Sequence, residues 1–227
     1  MIAAVIDRYG SPDVFRILEV DPPPVDPDSV LIKVKASSVN PIDFKVRKGL
    51  FRIKTNRKFP KILGFDVSGI VSQAGKNVQN FKVGDAVYTR LTWNWNPGGA
   101  YAEIVSAKAD IVALMPPSLS YEEAAAIPLA GLTALQALRN VGKISAGHHV
   151  LINGASGGVG SFAVQIAKAF EARVTAVCSS RNAEFVRSLG ADRIIDYARE
   201  KVTAVDEPVD IVFDTVGTSS LFECNGS

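Results

Sequence analysis

Residues 150–164 constrain this chain more than any other stretch. They read Val-Leu-Ile-Asn-Gly-Ala-Ser-Gly-Gly-Val-Gly-Ser-Phe-Ala-Val. The apolar run at 150–152 predicts a buried strand. Gly154, Gly157, Gly158 and Gly160 predict a glycine-rich turn, which also holds Ala155 and Ser156. From Val159 onward the apolar residues Ala163, Ile166, Ala167 and Phe170 fall at helical spacing. A glycine lets backbone approach a phosphate where a Cβ would collide. The start of the helix then turns unpaired N–H groups toward that phosphate. The same residues would also make a tight strand-to-helix turn with no ligand. A second strand at 173–178 follows at the distance expected of a dinucleotide-binding unit, and it favours a dinucleotide pyrophosphate.

The pattern continues beyond that strand. Residues 182–189 are helical in spacing and end at Gly190, 192–196 read as a third strand, and 209–214 as a fourth. Alternating strands and helices predict a parallel sheet with crossover helices. A complete doubly wound nucleotide domain has six strands. The four counted here predict the adenosine half, with most of the nicotinamide half missing before Ser227.

The half before this unit has a different period. Residues 3–6 read as a short strand, and Pro22-Pro23-Pro24 with Pro27 as an extended connector. Residues 30–39 begin as a half-buried strand, with Val30, Ile32 and Val34 on one face and Lys33 and Lys35 on the other. Pro41 suits the first turn of a short helix that runs to Lys48 and closes at Gly49. Arg52, Lys54, Arg57 and Lys58 make a basic stretch that reads as a solvated loop. Short strands at 64–71, 83–88 and 100–105, separated by glycine and aspartate turns, predict a β-rich or barrel-like domain. Both tryptophans, Trp93 and Trp95, lie in a glycine-proline loop that would either line a cleft or pack under a strand. Met115-Pro116-Pro117 marks a boundary, after which Ser120 and Glu123 form a capping-box pattern and 129–141 a second helical segment. The expected domains are residues 1–119 and 120–227.

Composition excludes several classes. The 227 residues carry a net charge of +2, which argues for neither a nucleic acid nor an anionic surface as partner. Two distant cysteines, Cys178 and Cys224, are not a disulfide framework, and a reducing cytoplasm is the simplest setting. No apolar run is long enough for a membrane span.

The second strand ends in Cys178-Ser179-Ser180-Arg181. A carboxylate there would hold the 2′-hydroxyl of NAD. Hydroxyls and a guanidinium instead would accept a 2′-phosphate through charge-assisted hydrogen bonds. Ser179 and Arg181 therefore point to NADPH, although an arginine can also simply decorate a helix start.

Five ordered motifs carry a family resemblance: Asn40-Pro41-Ile42-Asp43-Phe44-Lys45, Gly64-Phe65-Asp66-Val67-Ser68-Gly69, Ala130-Gly131-Leu132-Thr133-Ala134, Gly154-Ala155-Ser156-Gly157-Gly158-Val159-Gly160 and Ser188-Leu189-Gly190-Ala191-Asp192. Together they resemble the zinc-independent quinone oxidoreductases of the medium-chain dehydrogenase/reductase superfamily, over almost the whole chain. The resemblance implies a GroES-like β-rich substrate domain followed by a partial Rossmann domain, α/β in class. It implies NADPH-dependent reduction of quinones or α,β-unsaturated carbonyls. By motif, Asn40 matches the asparagine beside the nicotinamide and substrate, and Thr133 a contact to the nicotinamide ribose region. Gly157, Gly158, Val159 and Gly160 match the pyrophosphate turn, and Tyr197 falls with Ser179 and Arg181 near the 2′-phosphate. Each has a plainer alternative: Asn40 as a helix cap, Thr133 as a helix hydroxyl bonded to its own backbone, Tyr197 as a partly buried aromatic. Family members often pair through the sheet edge of the nucleotide domain, which implies a homodimer.

The zinc-dependent cousins carry metal ligands where this chain has Val39-Asn40-Pro41 and Gly64-Phe65-Asp66, without Cys or His. His148 and His149 are adjacent at a strand start, so their side chains should diverge. Without zinc, the carbonyl oxygen of a substrate needs another donor: a backbone N–H, the Asn40 amide, a ribose hydroxyl or water. Because of its early end, the chain also admits a second expectation, a shortened, non-catalytic nucleotide-binding or interaction module.

Overall fold

The computed structural model describes residues 1–52, 59–92, 98–201, 205 and 207–217. Its first half contains β1 (Ile2–Ile6), β2 (Phe15–Glu19), β3 (Ser29–Ser37), β4 (Lys61–Ile62), β5 (Asp66–Ala74), β6 (Ala86–Arg90), β7 (Ile104–Lys108) and β8 (Val112–Leu114). Five of them form an antiparallel sheet in the order β7-β3-β5-β6-β8, and three form a second one, β2-β1-β4. Val30 and Ile32 of β3 meet Val67 and Val71 of β5, Val87 of β6 and Val105 of β7 in one apolar core. Leu31, on the other face of β3, is buried as well.

Helix α1 (Pro41–Arg47) follows β3, and Gly49 closes it with φ +82°, the left-handed geometry that ends a helix. Helix α2 (Tyr121–Ala126) starts at the expected capping box: Ser120 N–H donates to Glu123 Oε2 at 2.8 Å, and Glu123 N–H to Ser120 Oγ at 3.2 Å. Helix α3 (Pro128–Leu135) passes into a π-helical segment, Gln136–Val141, where the sequence predicts a single regular helix.

The second half is a parallel sheet of β9 (His149–Asn153), β10 (Arg173–Cys178), β11 (Arg193–Asp196) and β12 (Ile211–Asp214), ordered β11-β10-β9-β12. Helix α4 (Gly158–Ala169) crosses from β9 to β10 and α5 (Ala183–Ser188) from β10 to β11. Gly160, Ala163, Val164 and Ala167 are the buried residues of α4, spaced at three and four, and small enough to bring the helix close to Val150, Ile152 and Val174. This order is one mononucleotide-binding half plus the first strand beyond it.

One expected strand is shorter than predicted. Of residues 100–105, only the end joins β7. Tyr101 N–H donates to Leu63 O, its carbonyl accepts from Ala4 N–H, and Ala102 bridges Ala3. The backbone of 100–103 is thus spent joining the two sheets of the first half.

By compactness the chain divides into Met1–Leu129 and Ala130–Ser227, a division that falls inside α3. Residues 120–129, grouped by sequence with the nucleotide domain, lie in the first of these units, where Ser68 Oγ donates to Tyr121 O.

Candidate functional site

In the second unit the pairing register sets the ends of three strands side by side. Val177 pairs with Asn153, and Cys178 with Asp196. The residues that follow, Gly154, Ser179 and Tyr197, therefore leave the sheet along its C-terminal edge, where open α/β sheets bind ligands.

The glycine turn is built for close approach. Gly154 has φ +78°, and a Cβ on Gly160 would lie 2.1 Å from the Gly154 carbonyl oxygen. Only glycine at 160 lets the first turn of α4 sit on the end of β9. Ala155 is buried, and its N–H donates to Val177 O at 3.0 Å. Ser156 Oγ accepts from Asn182 Nδ2 at 3.0 Å, which ties the turn to the loop after β10. Gly157 is the N-cap of α4 and supplies no side-chain cap, so the first N–H groups of this 12-residue helix have no intrahelical partner. Gly158 is exposed, and a Cβ there would meet nothing within 4 Å. Val159 beside it packs against the core. An open glycine, uncapped N–H groups and a helix start at one edge fit a pyrophosphate.

Ser179 is half-buried and caps the single turn Ser180–Asn182. Arg181 projects from that turn, exposed and without an ion-pair partner among the described residues. Tyr197 is 59% exposed just past β11. The predicted pyrophosphate and 2′-phosphate residues thus share one edge of one sheet. Asn182, which locks the two loops together, escapes sequence analysis because its position at a helix start reads only as a cap.

Asn40 belongs to the first unit and has its own surroundings. It is the N-cap of α1, the plainer of its two expected roles: Asp43 Oδ2 accepts from Asn40 N–H at 2.7 Å. Its side-chain Nδ2 donates to Ser38 Oγ at 2.9 Å and to Asp66 Oδ2 at 2.8 Å. The amide nitrogen, one of the donors considered for a substrate carbonyl, is thus engaged by Ser38 and the buried Asp66. Ser38 Oγ donates to the same Asp66 oxygen at 2.8 Å, and Leu129 N–H donates to Oδ1 at 3.0 Å. Asp66 is fully buried. Burial raises its pKa above the usual carboxylate value, opposed by the bonds from Ser38, Asn40 and Leu129 and by the charge of Arg90. In the sequence Asp66 stands out only as part of a motif. A charged residue inside Gly-Phe-Asp-Val-Ser-Gly, a stretch otherwise fit for a core, is the signal that could have marked it.

Thr133 is exposed on α3. His148 bonds Ser145 Oγ through Nε2, and His149, buried in β9, bonds Thr175 Oγ1 through its own Nε2. Among the described residues no group of three or more His, Cys, Asp or Glu side chains could hold a metal ion, and no helix is long and apolar enough to cross a membrane. Trp93, Trp95, Lys54, Arg57, Lys58 and the tail 218–227 with Cys224 lie outside the described residues.

Two family models match the chain: the alcohol dehydrogenase GroES-like domain at residues 26–117 and the zinc-binding dehydrogenase at residues 158–224. A chloroplastic quinone-oxidoreductase homolog of Spinacia oleracea is 42% identical over 212 residues, covering 91% of this chain and 64% of its own length. The solved quinone oxidoreductase of Coxiella burnetii superposes with a TM-score of 0.87 at 39% identity, over 96% of this chain and 69% of that one. The Escherichia coli quinone oxidoreductase, solved in complex with NADPH, gives a TM-score of 0.78 at 31% identity, over 89% of this chain and 60% of that one. The chain thus spans less than two-thirds of the length of the Spinacia relative. Its GroES-like antiparallel sheet, its Rossmann-type parallel sheet and these likenesses agree: the chain belongs to the quinone oxidoreductase family of the medium-chain dehydrogenase/reductase superfamily.

Proposed function

We propose that the chain binds NADPH along the C-terminal edge of the β11-β10-β9-β12 sheet and serves hydride transfer to a quinone or an α,β-unsaturated carbonyl without a zinc ion. One observation carries the reading: Ser179 and Arg181, in place of a carboxylate, leave the sheet on the same edge as the glycine turn. The NADPH held by the Escherichia coli relative is in keeping with it. Bound there, NADPH would supply the hydride.

The chain's residues divide the remaining work. The uncapped N–H groups at the start of α4 take the pyrophosphate, with Gly158 leaving room for it. Ser179 and Arg181 take the 2′-phosphate, and Tyr197 flanks it. Thr133 serves the nicotinamide ribose region. By its motif Asn40 is assigned to the nicotinamide and substrate, and its amide, held by Ser38 and Asp66, would help align the reacting partners. With the Asn40 nitrogen engaged by Ser38 and Asp66, the proton for the reduced oxygen comes from solvent.

Zinc independence is supported by the donor set. The stretches Val39-Asn40-Pro41 and Gly64-Phe65-Asp66, where the zinc-dependent cousins carry ligands, hold no Cys or His, and the Asp66 carboxylate already receives three hydrogen bonds.

The test is direct. NADPH should stabilise the 227-residue chain against heat more than NADH does, and NADPH oxidation should follow addition of a member of a quinone panel or an enone panel. Equal shifts would refute the assignment of Ser179 and Arg181. Binding without turnover on either panel would refute hydride transfer and leave a nucleotide-binding module.

A further inference from the structure

One buried carboxylate of the first unit, Asp66, has been given no role of its own in the chemistry just described. Asp66 is 0% exposed, at the start of β5, and uses both carboxylate oxygens. Oδ2 accepts from Ser38 Oγ and Asn40 Nδ2, and Oδ1 from Leu129 N–H. We propose that Asp66 is a positioning residue, which holds the Asn40 amide nitrogen-inward with one oxygen and the first turn of α3 with the other. The proposal rests on the functional reading of Asn40 and Thr133.

An asparagine side chain ends in an acceptor and a donor at equal reach. Its amide is nearly symmetric in shape, so a half-exposed asparagine can face a cleft with either its oxygen or its nitrogen. A carboxylate removes that freedom. Asparagine oxygen turned toward Asp66 Oδ2 would set acceptor against acceptor in a buried place, where an unmade bond is costly. Ser38 reinforces the choice, because its hydroxyl donates to Asp66 and can then only accept from Asn40. The three atoms form a nearly equilateral triangle with sides of 2.8, 2.8 and 2.9 Å. Its small angle at Nδ2 suits one shared N–H bond or two bent ones, and either arrangement keeps the nitrogen inward.

The second oxygen does related work on another element. Pro128 opens α3 and has no N–H, so Leu129 carries the first amide of that helix that needs a partner. Asp66 supplies it from a distant strand, with the favourable sign for a helix N-terminus. Thr133 stands four residues on, one turn along the same helix. A single buried carboxylate therefore fixes the orientation of Asn40 and the start of the helix that carries Thr133.

The test uses the full chain and two readouts. Without ligand, the Asn40 side-chain N–H hydrogens should exchange with solvent more slowly than those of exposed Asn140, as read by nuclear magnetic resonance. Equal exchange would overturn the proposal, and no variant is needed to see it. For kinetics, Asp66→Asn keeps the volume and the acceptor for Leu129, but turns a donor toward Asn40. Its kcat for NADPH oxidation should fall roughly tenfold to a hundredfold, with NADPH affinity nearly unchanged because the pyrophosphate residues are elsewhere. Asn40→Ser keeps a capping residue at the start of α1 and removes the amide. In that background Asp66→Asn should have little further effect on kcat, because its route of action is gone. Fully additive losses would mean that Asp66 does not act through Asn40. A wild-type chain that fails to oxidise NADPH would sink the functional reading alone, and the exchange measurement would still decide whether Asp66 holds Asn40.

Discussion

Arg181 shows how much one side chain decides about cofactor choice. It is exposed, projects from the turn after β10, and has no ion-pair partner among the described residues. Removing it should therefore cost the fold little. A charge-assisted bond to a phosphate contributes about 1.5–3 kcal/mol. Arg181→Ala should weaken NADPH binding by roughly tenfold to a hundredfold, leave NADH binding unchanged and move the melting temperature by little. Titration of both cofactors against wild type and variant checks this, and parallel losses for NADPH and NADH would contradict the assignment. The assignment of Ser179 and Arg181 can be argued from the sequence, because it rests on a residue type at a counted distance from the glycine turn. The role of Asp66 cannot, because it depends on Ser38, Asn40 and Leu129, up to 63 residues away in sequence. The inward turn of the Asn40 amide was likewise out of reach, since sequence carries the residue and not its rotamer.

At the level of elements, the turn between β9 and α4 holds two glycines that should respond in opposite ways. A Cβ on Gly160 would lie 2.1 Å from Gly154 O and 2.7 Å from Ala155 Cα, both backbone atoms that cannot swing aside. Gly160→Ala should destabilise the second unit by about 2–4 kcal/mol, seen as a lower denaturation midpoint even without cofactor. Gly158→Ala meets no atom within 4 Å and sits in the first turn of a helix. Its stability should hold or rise slightly, since alanine suits a helix better than glycine does. Its NADPH affinity should nonetheless drop at least about tenfold, because the methyl group enters the space left for the phosphates. A variant at 158 that binds NADPH normally would place the pyrophosphate elsewhere. These elements were the most legible in the chain. The apolar runs of β9 and β10, the small-residue face of α4 and the alternation of strand with helix all carry their period in the sequence. The strand β2 carries none: Ile17 is 69% exposed and Leu18 41%, so the strand is held by backbone pairing to β1 and has no buried face to announce it. β4 is only two residues long, and the π-helical segment after α3 keeps the same apolar spacing as an ordinary helix.

At the scale of the whole molecule, the two compact units should answer acid in opposite directions. In the first unit, burial raises the pKa of Asp43 and Asp66 above the ordinary carboxylate value of 3.8. A group whose folded pKa is raised binds its proton more tightly in the fold. The stability it contributes is present below the ordinary value and lost as pH rises through the raised one. In the second unit Asp192 behaves the other way. Partial burial alone would raise its pKa, but Val174 N–H at 2.7 Å and the Lys168 ammonium at 2.9 Å from both oxygens hold it below 3.8. Its contribution is present above the ordinary value and lost as pH falls through the lowered one. With its side chain 41% exposed, the Lys168 pair contributes under about 1 kcal/mol. The backbone bond to Val174 adds to this by tying residue 192, just ahead of β11, to β10. Acidification below pH 4 should therefore loosen the parallel sheet before the antiparallel one. Hydrogen exchange read peptide by peptide across an acid series tests this, with protection in β10 and β11 predicted to fall at higher pH than protection in β3 and β5. Asp192→Asn should lower protection of β10 and β11 at neutral pH and flatten its dependence on acid, leaving β3 and β5 as before. Loss of protection in both sheets at one pH, in wild type and variant alike, would mean that these buried and paired carboxylates do not set the order in which the units yield.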